Sequence, residues 1–334
     1  MTSIQEIHSA PRLGGLRAYI FWIILIGMLS ACNPDYSLQS RPILHTTISA
    51  DGEIVATLLN AGTDEQLLRV RNLKPDSNWR TVTAPPFTQS IRFGLQGHEL
   101  LLTHQISLQP KKDVLSKLNL DQSRTELKHI YEAEDLAFPL EVKPGQVMVR
   151  TGHPVAKGSH VSNYNWILIG PGEQVKSTEP VSAPPYGNIN IVGSGYFWTE
   201  DQISKTGDAH PRLRRFPLPG GHAPNISDGL FEKNTTNISC DRFGHRCLRS
   251  HIENLDGTPG TSFLYNVDVL FGAEKCKLFG VSGYHDGVSV TPDGNAAVMA
   301  LAPAYNRPRL IVVIRFNPKQ CEASSVQFID FKEK

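Results

Sequence analysis

Two stretches of the sequence concentrate side chains that could bind a ligand or transfer protons. The first runs from Gly152 to Asn163 and the second from Glu200 to Pro211, each between segments patterned like β-strands. Histidine and aspartate can act as acids, bases or metal ligands, whereas aromatic rings and arginine suit a polar-rimmed binding patch. The candidate binding residues in and beside these stretches are His153, His160, Tyr164, Trp166, Asp208, His210 and Arg212.

Both stretches are expected to be long loops, and binding usually resides in such loops when a rigid scaffold holds them. The alternative is that they are tolerated insertions on a solvated face. A catalytic interpretation would require His153, Asp208 and His210 to converge on a metal. The twelve histidines are scattered along the chain, so neither a metal nor a cofactor is predicted.

Sequence signatures of catalysis are missing. The chain has no Gly-x-Ser-x-Gly elbow, no His-Glu-x-x-His, no Cys-x-x-Cys and no Walker loop. No catalytic residue is therefore assigned. Whether the protein is an enzyme stays open, and the sequence favours a protein without enzymatic activity.

The cysteines beyond Cys32 raise the question of disulfides. Cys240 and Cys247 flank a predicted hairpin turn. Opposed Cβ atoms in a hairpin lie about 4.5 to 5.5 Å apart, which is close enough for a disulfide after a small adjustment. Cys276 and Cys321 each begin the predicted fourth strand of neighbouring repeats. Such outer positions usually lie too far apart for a disulfide. We therefore do not expect Cys276 and Cys321 to pair, although the sequence alone does not decide it.

An internal repeat organises the chain. A glycine precedes a strand-like run six times, at intervals of 45 to 50 residues. Glycine suits hairpin turns, which need a positive φ. Most repeats contain further strand-like runs, and four strands in about 40 to 50 residues is the size of a propeller blade. The six glycines are Gly52, Gly97, Gly145, Gly195, Gly244 and Gly294. The sequence predicts an all-β, six-bladed β-propeller of four-stranded antiparallel blades.

The turns also carry a family resemblance. Thr291-Pro292-Asp293-Gly294 and Ser49-Ala50-Asp51-Gly52 precede the second strands of their repeats. They resemble the Ser-Pro-Asp-Gly turns in the WD-like repeats of TolB-type periplasmic propeller proteins. The resemblance implies a propeller over nearly the whole mature chain. It implies no particular function, because one fold hosts many functions.

The N-terminus has the pattern of a targeting segment. Arg12 and Arg17 precede an apolar run over residues 18–29, which is shorter than the ~20 residues that span a bilayer and suits a signal peptide. The following Leu29-Ser30-Ala31-Cys32 resembles the lipobox of bacterial lipoproteins, which implies that Cys32 is lipidated. A short transmembrane anchor is the alternative. The predicted organisation is a signal peptide over 1–31, a lipid-anchored linker over 32–41 and the propeller over 42–334.

The predicted membrane location and the net charge of the chain limit the functions to be considered. Asn33 rather than Asp follows Cys32, which favours the outer over the inner membrane, with the domain facing the periplasm. The formal net charge of +1 gives no reason to expect a nucleic-acid partner. We expect a protein-interaction or scaffold module of the envelope with an unidentified protein partner, held to the membrane through Cys32. The alternatives are a propeller enzyme acting on sugars or lactones with a metal at its channel mouth, and a propeller that binds a small ligand or glycan.

Overall fold

The computed structural model describes residues 43–60, 66–108, 111–121, 126–154, 162–170, 175–177, 190–203, 209–217, 221–226, 235–253, 264–303 and 310–331. These residues form strands and turns and contain no helix. None of them belongs to a helix long and apolar enough to cross a membrane. The prediction of an all-β chain is confirmed for this part of the sequence.

The strands pair with their neighbours in sequence, and every pairing is antiparallel. Three sheets have four strands each, in the orders β1-β2-β3-β4, β5-β6-β7-β8 and β12-β11-β10-β9, and β13-β14-β15 form a fourth sheet. The first two sheets comprise β1 Ile43–Ile48, β2 Ile54–Asn60, β3 Gln66–Asn72, β4 Arg80–Val82, β5 Thr88–Phe93, β6 Glu99–Leu108, β7 Lys111–Asn119 and β8 Leu127–Ala133. The next two comprise β9 Ala137–Lys143, β10 Gln146–Pro154, β11 Ser162–Ile169, β12 Val175–Ser177, β13 Asn190–Val192, β14 Gly195–Ile203 and β15 Ala209–Pro217.

The C-terminal part of the chain forms one continuous sheet of seven strands. Its strands are β16 Thr235–Cys240, β17 Arg246–Glu253, β18 Leu264–Phe271, β19 Glu274–Val290, β20 Ala296–Pro303, β21 Leu310–Phe316 and β22 Ala323–Ile329. The 17-residue β19 pairs with β18 through its first half and with β20 through its second half. The change of partner falls between Ser282, which pairs with Leu264, and Gly283, which pairs with Pro303. The register irregularity between His285 and Val288, with a positive φ at Gly287, lies within the pairing with β20. Two predicted blades are thus joined by a shared strand.

Apolar side chains fill the layers between neighbouring sheets. Leu58 and Leu100, both fully buried, belong to the layer between the first and second sheets. Leu101 and Val149 belong to the next layer. The alternating pattern of strands sends side chains to both faces of each sheet, so a sheet with a neighbour on each side reads as a nearly continuous apolar run. Burial on both faces is what stacks the sheets side by side.

Side chains within the turns explain the repeated Asp-Gly signature. In the turn before β2, the backbone N–H of Ile54 donates to Ser49 Oγ at 2.8 Å and that of Glu53 to Asp51 Oδ1 at 2.9 Å. In the turn before β20, the N–H groups of Ala296 and Asn295 donate in the same way to Thr291 Oγ1 and Asp293 Oδ1, each at 3.0 Å. Each turn is therefore closed by its own side chains before any partner sheet is present.

The turn glycines have a positive φ in five of the six predicted repeats. In the fourth repeat the positive φ belongs to Gly193, and Gly195 is already the first residue of β14. A Cβ on Gly195 would lie 2.5 Å from the carbonyl oxygen of His222. Gly195 is thus required by close packing, and the prediction that it is the turn glycine was wrong.

The first and last sheets are neighbours, and each terminal strand stays in its own sheet. Val55 of β2 and Val298 of β20 belong to one apolar layer between them. Arg315 donates to the carbonyl oxygen of Gly52 at 2.9 Å. Trp79 stacks on Phe331 with ring centroids 4.9 Å apart. Side chains rather than exchanged strands therefore join the start of the ring to its end.

Two disulfides lie in the seven-stranded sheet and beside it. Cys240 and Cys247 are paired across the β16–β17 hairpin, with Cα atoms 4.0 Å apart. Cys276 is also bonded to Cys321, with a Cα separation of 5.8 Å, which corrects the expectation that these two stay apart. The buried Cys321 lies in the turn before β22, and its Sγ reaches to 3.4 Å from the carbonyl oxygen of Val269, the strand partner of Cys276. Because the sheet is continuous, this turn folds back onto the preceding strands.

Candidate functional site

The strand order gives the molecule two unlike faces. Chain reversals within each meander put the connections from second to third strand, and those between sheets, on one side, which we call the wide face. The tight turns from first to second strand lie on the opposite side, the turn face. On the turn face, β1 and β2 are separated by residues 49–53 and β9 and β10 by residues 144–145. In the third and fourth sheets the β10–β11 and β14–β15 connections on the wide face, residues 155–161 and 204–208, are longer than the two-residue β9–β10 and β13–β14 turns, and longer connections leave more surface for contacts.

A cavity of about 340 Å³ lies between the first strands of the sheets, on the side of the wide face. Its walls come from β1, β5, β9, β13, β16 and the second half of β19. The side chains and backbone that line it belong to Ile43, Leu44, His45, Thr46, Thr47, Ser90, Ile91, Arg92, Phe138, Pro139, Leu140, Asn190, Asn237, Ile238, Ser239, Gly287, Val288 and Ser289. The walls therefore carry hydroxyl, amide and guanidinium groups among the apolar ones.

Polar side chains in this wall join four of the six first strands to the next one. Their oxygen atoms accept hydrogen bonds from the backbone of the following first strand. These bonds join Thr47 Oγ1 with Phe93 N at 3.3 Å, Ser90 Oγ with Phe138 N at 3.3 Å, Asn190 Oδ1 with Cys240 N at 3.2 Å, and Ser239 Oγ with Val290 N at 3.2 Å. The polar wall is thus part of the framework, and its geometry is set before any ligand enters.

Arg92 lies at the waist of the cavity, the narrow part where two chambers meet. A smaller chamber of about 50 Å³ lies toward the turn face, and Arg92 borders both chambers together with Thr47, Leu140 and Ser289. Burial lowers the pKa of Arg92 to about 10. The guanidinium is surrounded by protein yet borders the cavity, which explains why its side chain is only half-buried from solvent. It remains charged at neutral pH.

His45 lines the same cavity in the neutral state. Burial lowers its pKa to about 4, and a hydrogen bond with the backbone of Gln89 opposes only part of that shift. A neutral imidazole offers one donor and one acceptor. Thr46, beside it, has a buried Oγ1 without a hydrogen-bond partner in the part of the chain that the structure describes. Because that atom is inaccessible to solvent, His45 is the polar group on this part of the wall that a ligand could reach.

The apolar rim of the wide face is concentrated in the first two sheets. Leu44, Phe87, Ile106 and Leu108 are exposed by 39%, 37%, 48% and 70%. Leu44 begins the cavity wall, while Ile106 and Leu108 end β6, where the chain turns into β7. The N–H of Gln105 donates to the carbonyl oxygen of Phe87 at 3.2 Å, which brings the two segments together. Exposed apolar groups therefore collect beside the mouth of the cavity.

Two phenylalanines at this end of the strands have unusual backbone conformations. Phe87 and Phe138 have φ values of 55° and 54°, which large side chains rarely adopt. The guanidinium of Arg150 lies 4.7 Å from the ring centroid of Phe138 and holds that ring in place. Local strain of this kind clusters at binding sites.

No family model matches the sequence, and no curated protein matches it. Solved structures do match. The propeller domain of the trilobed protease from Pyrococcus furiosus is 12% identical, with a TM-score of 0.52 over 88% of this chain and 96% of that one. TolB from Acinetobacter baumannii is 13% identical, with a TM-score of 0.50 over 97% of this chain and 75% of that one. Acylaminoacyl peptidase in complex with Z-Gly-Gly-Phe-chloromethyl ketone is 9% identical, with a TM-score of 0.57 over 90% and 54%.

The fold is a β-propeller. At these identities the likeness to the solved structures shows the fold alone. The chain spans about half the length of several peptidases that it matches. The TolB-type resemblance of the turns agrees with this propeller fold, and the contact chemistry must be argued from this chain's own residues.

Five of the seven predicted binding residues lie in two propeller hairpins. His153 and Tyr164 are in the β10–β11 hairpin, paired with Asn163 and Gly152, and Trp166 is paired with Arg150. His210 and Arg212 are in β15, opposite Gln202 and Glu200. His160 and Asp208 lie outside the described residues. The outer positions of both predicted loops are strand residues, because the antiparallel pairing continues to Pro154 and Ile203, and residues 155–161 and 204–208 lie outside the described residues.

A metal centre finds no support in the described residues. No group of three or more His, Cys, Asp or Glu side chains converges within this part of the propeller. His153 and His210 lie on different hairpins, in separate sheets. The catalytic arrangement that would join them through Asp208 involves a residue outside the description, so that alternative is untested.

The sequence did not lead us to predict the residues that line the cavity, although a weak pattern in the first strand of the second sheet pointed to them. The segment Ser90-Ile91-Arg92 alternates polar and apolar side chains, as a half-buried strand does. That pattern predicts that one side of the strand is polar. It does not say whether the polar side meets solvent or a cavity enclosed by five other strands.

Proposed function

We propose that this protein is a lipid-anchored, six-bladed propeller of the bacterial envelope that binds a protein partner through its wide face. The observation that carries the proposal is the group of exposed apolar side chains beside the cavity mouth. Contiguous exposed apolar groups with a polar rim are typical of protein-binding surfaces. Binding rather than catalysis is the proposed activity.

The wide face supplies both components of such a surface. Ile106 and Leu108 are exposed on the β6–β7 hairpin. On the same face, the β10–β11 and β14–β15 hairpins carry His153, Tyr164, His210 and Arg212 at their ends. Aromatic and arginine residues are enriched at protein interfaces. We therefore assign the apolar rim as the centre of the contact and the predicted binding residues as its polar margin.

The proposed anchor is Cys32, outside the described residues. Lipidation at this cysteine would hold the propeller at a membrane surface facing the periplasm, in the outer rather than the inner membrane. Lipoproteins of this type carry more than one acyl chain, and stable anchoring requires two membrane signals. Replacement of Cys32 by Ser should release the chain from the membrane fraction, and mass spectrometry of the N-terminal peptide should show loss of the acyl mass.

Crosslinking in membranes, followed by affinity capture, tests the contact face. The double variant Ile106→Ser/Leu108→Ser should lose a captured envelope protein. The matched control is Phe243→Ser, because Phe243 is 64% exposed in the tight turn between β16 and β17, on the turn face. Loss of capture in the control variant alone, or no loss in the double variant, would show that the assigned face is wrong.

A further inference from the structure

The larger cavity has a chemical character of its own. The lining residues described for it include one permanently charged side chain, Arg92, and no Asp or Glu. Its histidine, His45, is neutral at physiological pH because burial lowers its pKa to about 4. The wall facing a ligand in this chamber is therefore positive at Arg92 and otherwise polar or apolar.

We infer that this cavity is a binding site for a small hydroxylated carboxylate of about monosaccharide size, with Arg92 as the anchor of its carboxylate group. This site is separate from the protein contact of the proposed function, because it is enclosed by the first strands rather than exposed on the rim. The inference rests on the position of Arg92, the volume of the cavity and the polar groups around it.

The position of Arg92 selects an anion. The guanidinium borders both chambers at the waist, so a ligand that fills the larger chamber meets it at the inner end. A guanidinium has five N–H donors in a planar fork that matches a carboxylate in a bidentate arrangement. Arg92 has contacts within the protein, and its number of donors makes those contacts compatible with a ligand. A cation would instead be repelled in this low-dielectric setting.

The walls select hydroxyl groups on the rest of the ligand. Neutral His45 contributes one donor and one acceptor, and Ser289, half-buried on the same lining, contributes a hydroxyl group. Ser239, Ser90 and Thr47 each accept a backbone hydrogen bond. Ser90 Oγ also bonds Thr103 Oγ1 at 2.7 Å, and all three side chains are nearly inaccessible to solvent. They hold the wall in place, and His45 and Ser289 are the polar groups left to meet a ligand. A purely apolar anion would leave these groups unsatisfied, at a cost in binding free energy.

The size of the chamber limits the ligand. A volume of about 340 Å³ lies near the lower end of the range for small-molecule sites, about 300 to 1,000 Å³. The bonds between consecutive first strands hold the walls in place. A preformed cavity of this size fits one sugar acid and excludes a folded polypeptide.

Calorimetric titration of the full-length protein tests this inference with three probes: D-glucuronate, D-glucose and inorganic phosphate. Glucuronate should bind and glucose, which lacks the carboxylate, should bind at least tenfold more weakly. Phosphate supplies the charge without the hydroxyl-bearing ring and should also bind more weakly. Equal affinities for glucuronate and glucose would overturn the role of Arg92, and equal affinities for glucuronate and phosphate would overturn the assignment of a hydroxylated ligand.

Variants locate the site. Arg92→Gln should weaken glucuronate binding by roughly ten- to hundredfold, the usual effect of losing hydrogen bonds to a charged group. Arg92→Lys keeps the charge without the fork and should retain part of the affinity. Lys74→Gln is the charge-matched control, because Lys74 is exposed between β3 and β4, and it should bind as the wild type does. Equal binding by Arg92→Gln and Lys74→Gln would place the ligand elsewhere.

The two proposals fail separately. Loss of glucuronate binding in Arg92→Gln with unchanged capture of the protein partner supports a small-molecule site apart from the contact face. If none of the probes binds but a partner peptide is crosslinked to Arg92, the cavity belongs to the protein contact, and the inference is wrong. Folding of each variant is checked by its thermal midpoint, and Arg92→Lys keeps the test decisive if Arg92→Gln is unstable.

Discussion

The indole N–H of Trp79 donates to the backbone carbonyl oxygen of Asp330 at 2.6 Å, across 251 residues of sequence. Trp79 precedes the fourth strand of the first sheet, and Asp330 follows the last strand of the chain. The ring of Trp79 also stacks on Phe331. Trp79 therefore contributes to closure together with the apolar layer around Val55 and Val298 and the bond from Arg315 to Gly52, and in the described chain no strand is exchanged between the first and last sheets.

Substitution of Trp79 should separate the two contributions to closure. Trp79→Phe keeps an aromatic ring beside Phe331 and removes the N–H donor, so we expect a loss of about 1 kcal/mol in the free energy of unfolding. Trp79→Ala also leaves a cavity, and the expected loss is about 3 to 5 kcal/mol. Urea unfolding measures both. Equal stability of Trp79→Phe and the wild type would mean that the bond to Asp330 makes no net contribution.

Arg246 is expected to contribute strongly to the stability of the fold. Its buried guanidinium donates to the carbonyl oxygens of Gly294, Asn317 and Gln320 at 2.6 to 2.8 Å. It also lies between the rings of Phe271 and Phe316, 4.6 and 4.8 Å from their centroids. Replacement by Met should leave those carbonyl groups without their donor and cost about 2 to 4 kcal/mol of unfolding free energy.

The matched control for Arg246 is Arg80→Met. Arg80 is exposed and donates to one carbonyl oxygen, that of Leu120, at 2.8 Å. Its replacement should change the free energy of unfolding by less than about 1 kcal/mol in the same urea titration. A comparable loss in the two variants would show that burial between two rings adds nothing to the contribution of Arg246.

A pH-dependent contact joins the first two sheets on the turn face. His98 Nε2 lies 2.8 Å from Asp51 Oδ2, and His98 Nδ1 contacts Asp121. Burial lowers the pKa of His98, but hydrogen bonds and charges from Asp121 and Asp51 outweigh it, so the pKa is raised above 6.5. Burial raises the pKa of Asp51, but hydrogen bonds from Ser49, Glu53 and His98 together lower it below 3.8.

The stability added by this contact should therefore peak at mildly acidic pH. The contribution of His98 is fully present below pH 6.5 and is lost as pH rises through its raised folded pKa. The contribution of Asp51 is present above pH 3.8 and is lost as pH falls through its lowered folded pKa. The thermal midpoints of the wild type and His98→Gln, compared from pH 3 to 9, should differ most near pH 5 to 6. A difference that does not vary with pH would show that the ion pairs do not contribute.

The two disulfides should differ in their effect on the oxidised protein. A disulfide lowers the conformational entropy of the unfolded chain, and this stabilising effect grows with the number of residues in the loop that the bond closes. Cys276 and Cys321 are separated by 45 residues, whereas Cys240 and Cys247 are separated by 7. Removal of the first bond by a double Ser substitution should cost about 4 kcal/mol and removal of the second about 2 kcal/mol, measured by urea unfolding. A larger loss for the shorter loop would contradict this order.

The sequence by itself determined the strand content, the repeat and most of its turns. These features are local: a Ser or Thr, an Asp and a Gly within six residues close a turn through their own side chains, as at Thr291, Asp293 and Gly294. Apolar runs such as Ile54–Asn60 mark strands buried on both faces for the same reason. Local hydrogen bonds and local burial patterns depend on residues that are close in sequence, so the sequence alone can predict them.

Only the tertiary structure decided which side chains meet across the repeats. Arg92 lies at a cavity waist because first strands from distant parts of the chain surround it, and Cys321 reaches Cys276 because β19 is shared between two strand partners. The edges of the loops expected over Gly152–Asn163 and Glu200–Pro211 are strand residues, because the pairing continues to Pro154 and Ile203. These outcomes depend on register and on the relative positions of whole sheets, and residues close together in sequence carry little information about either.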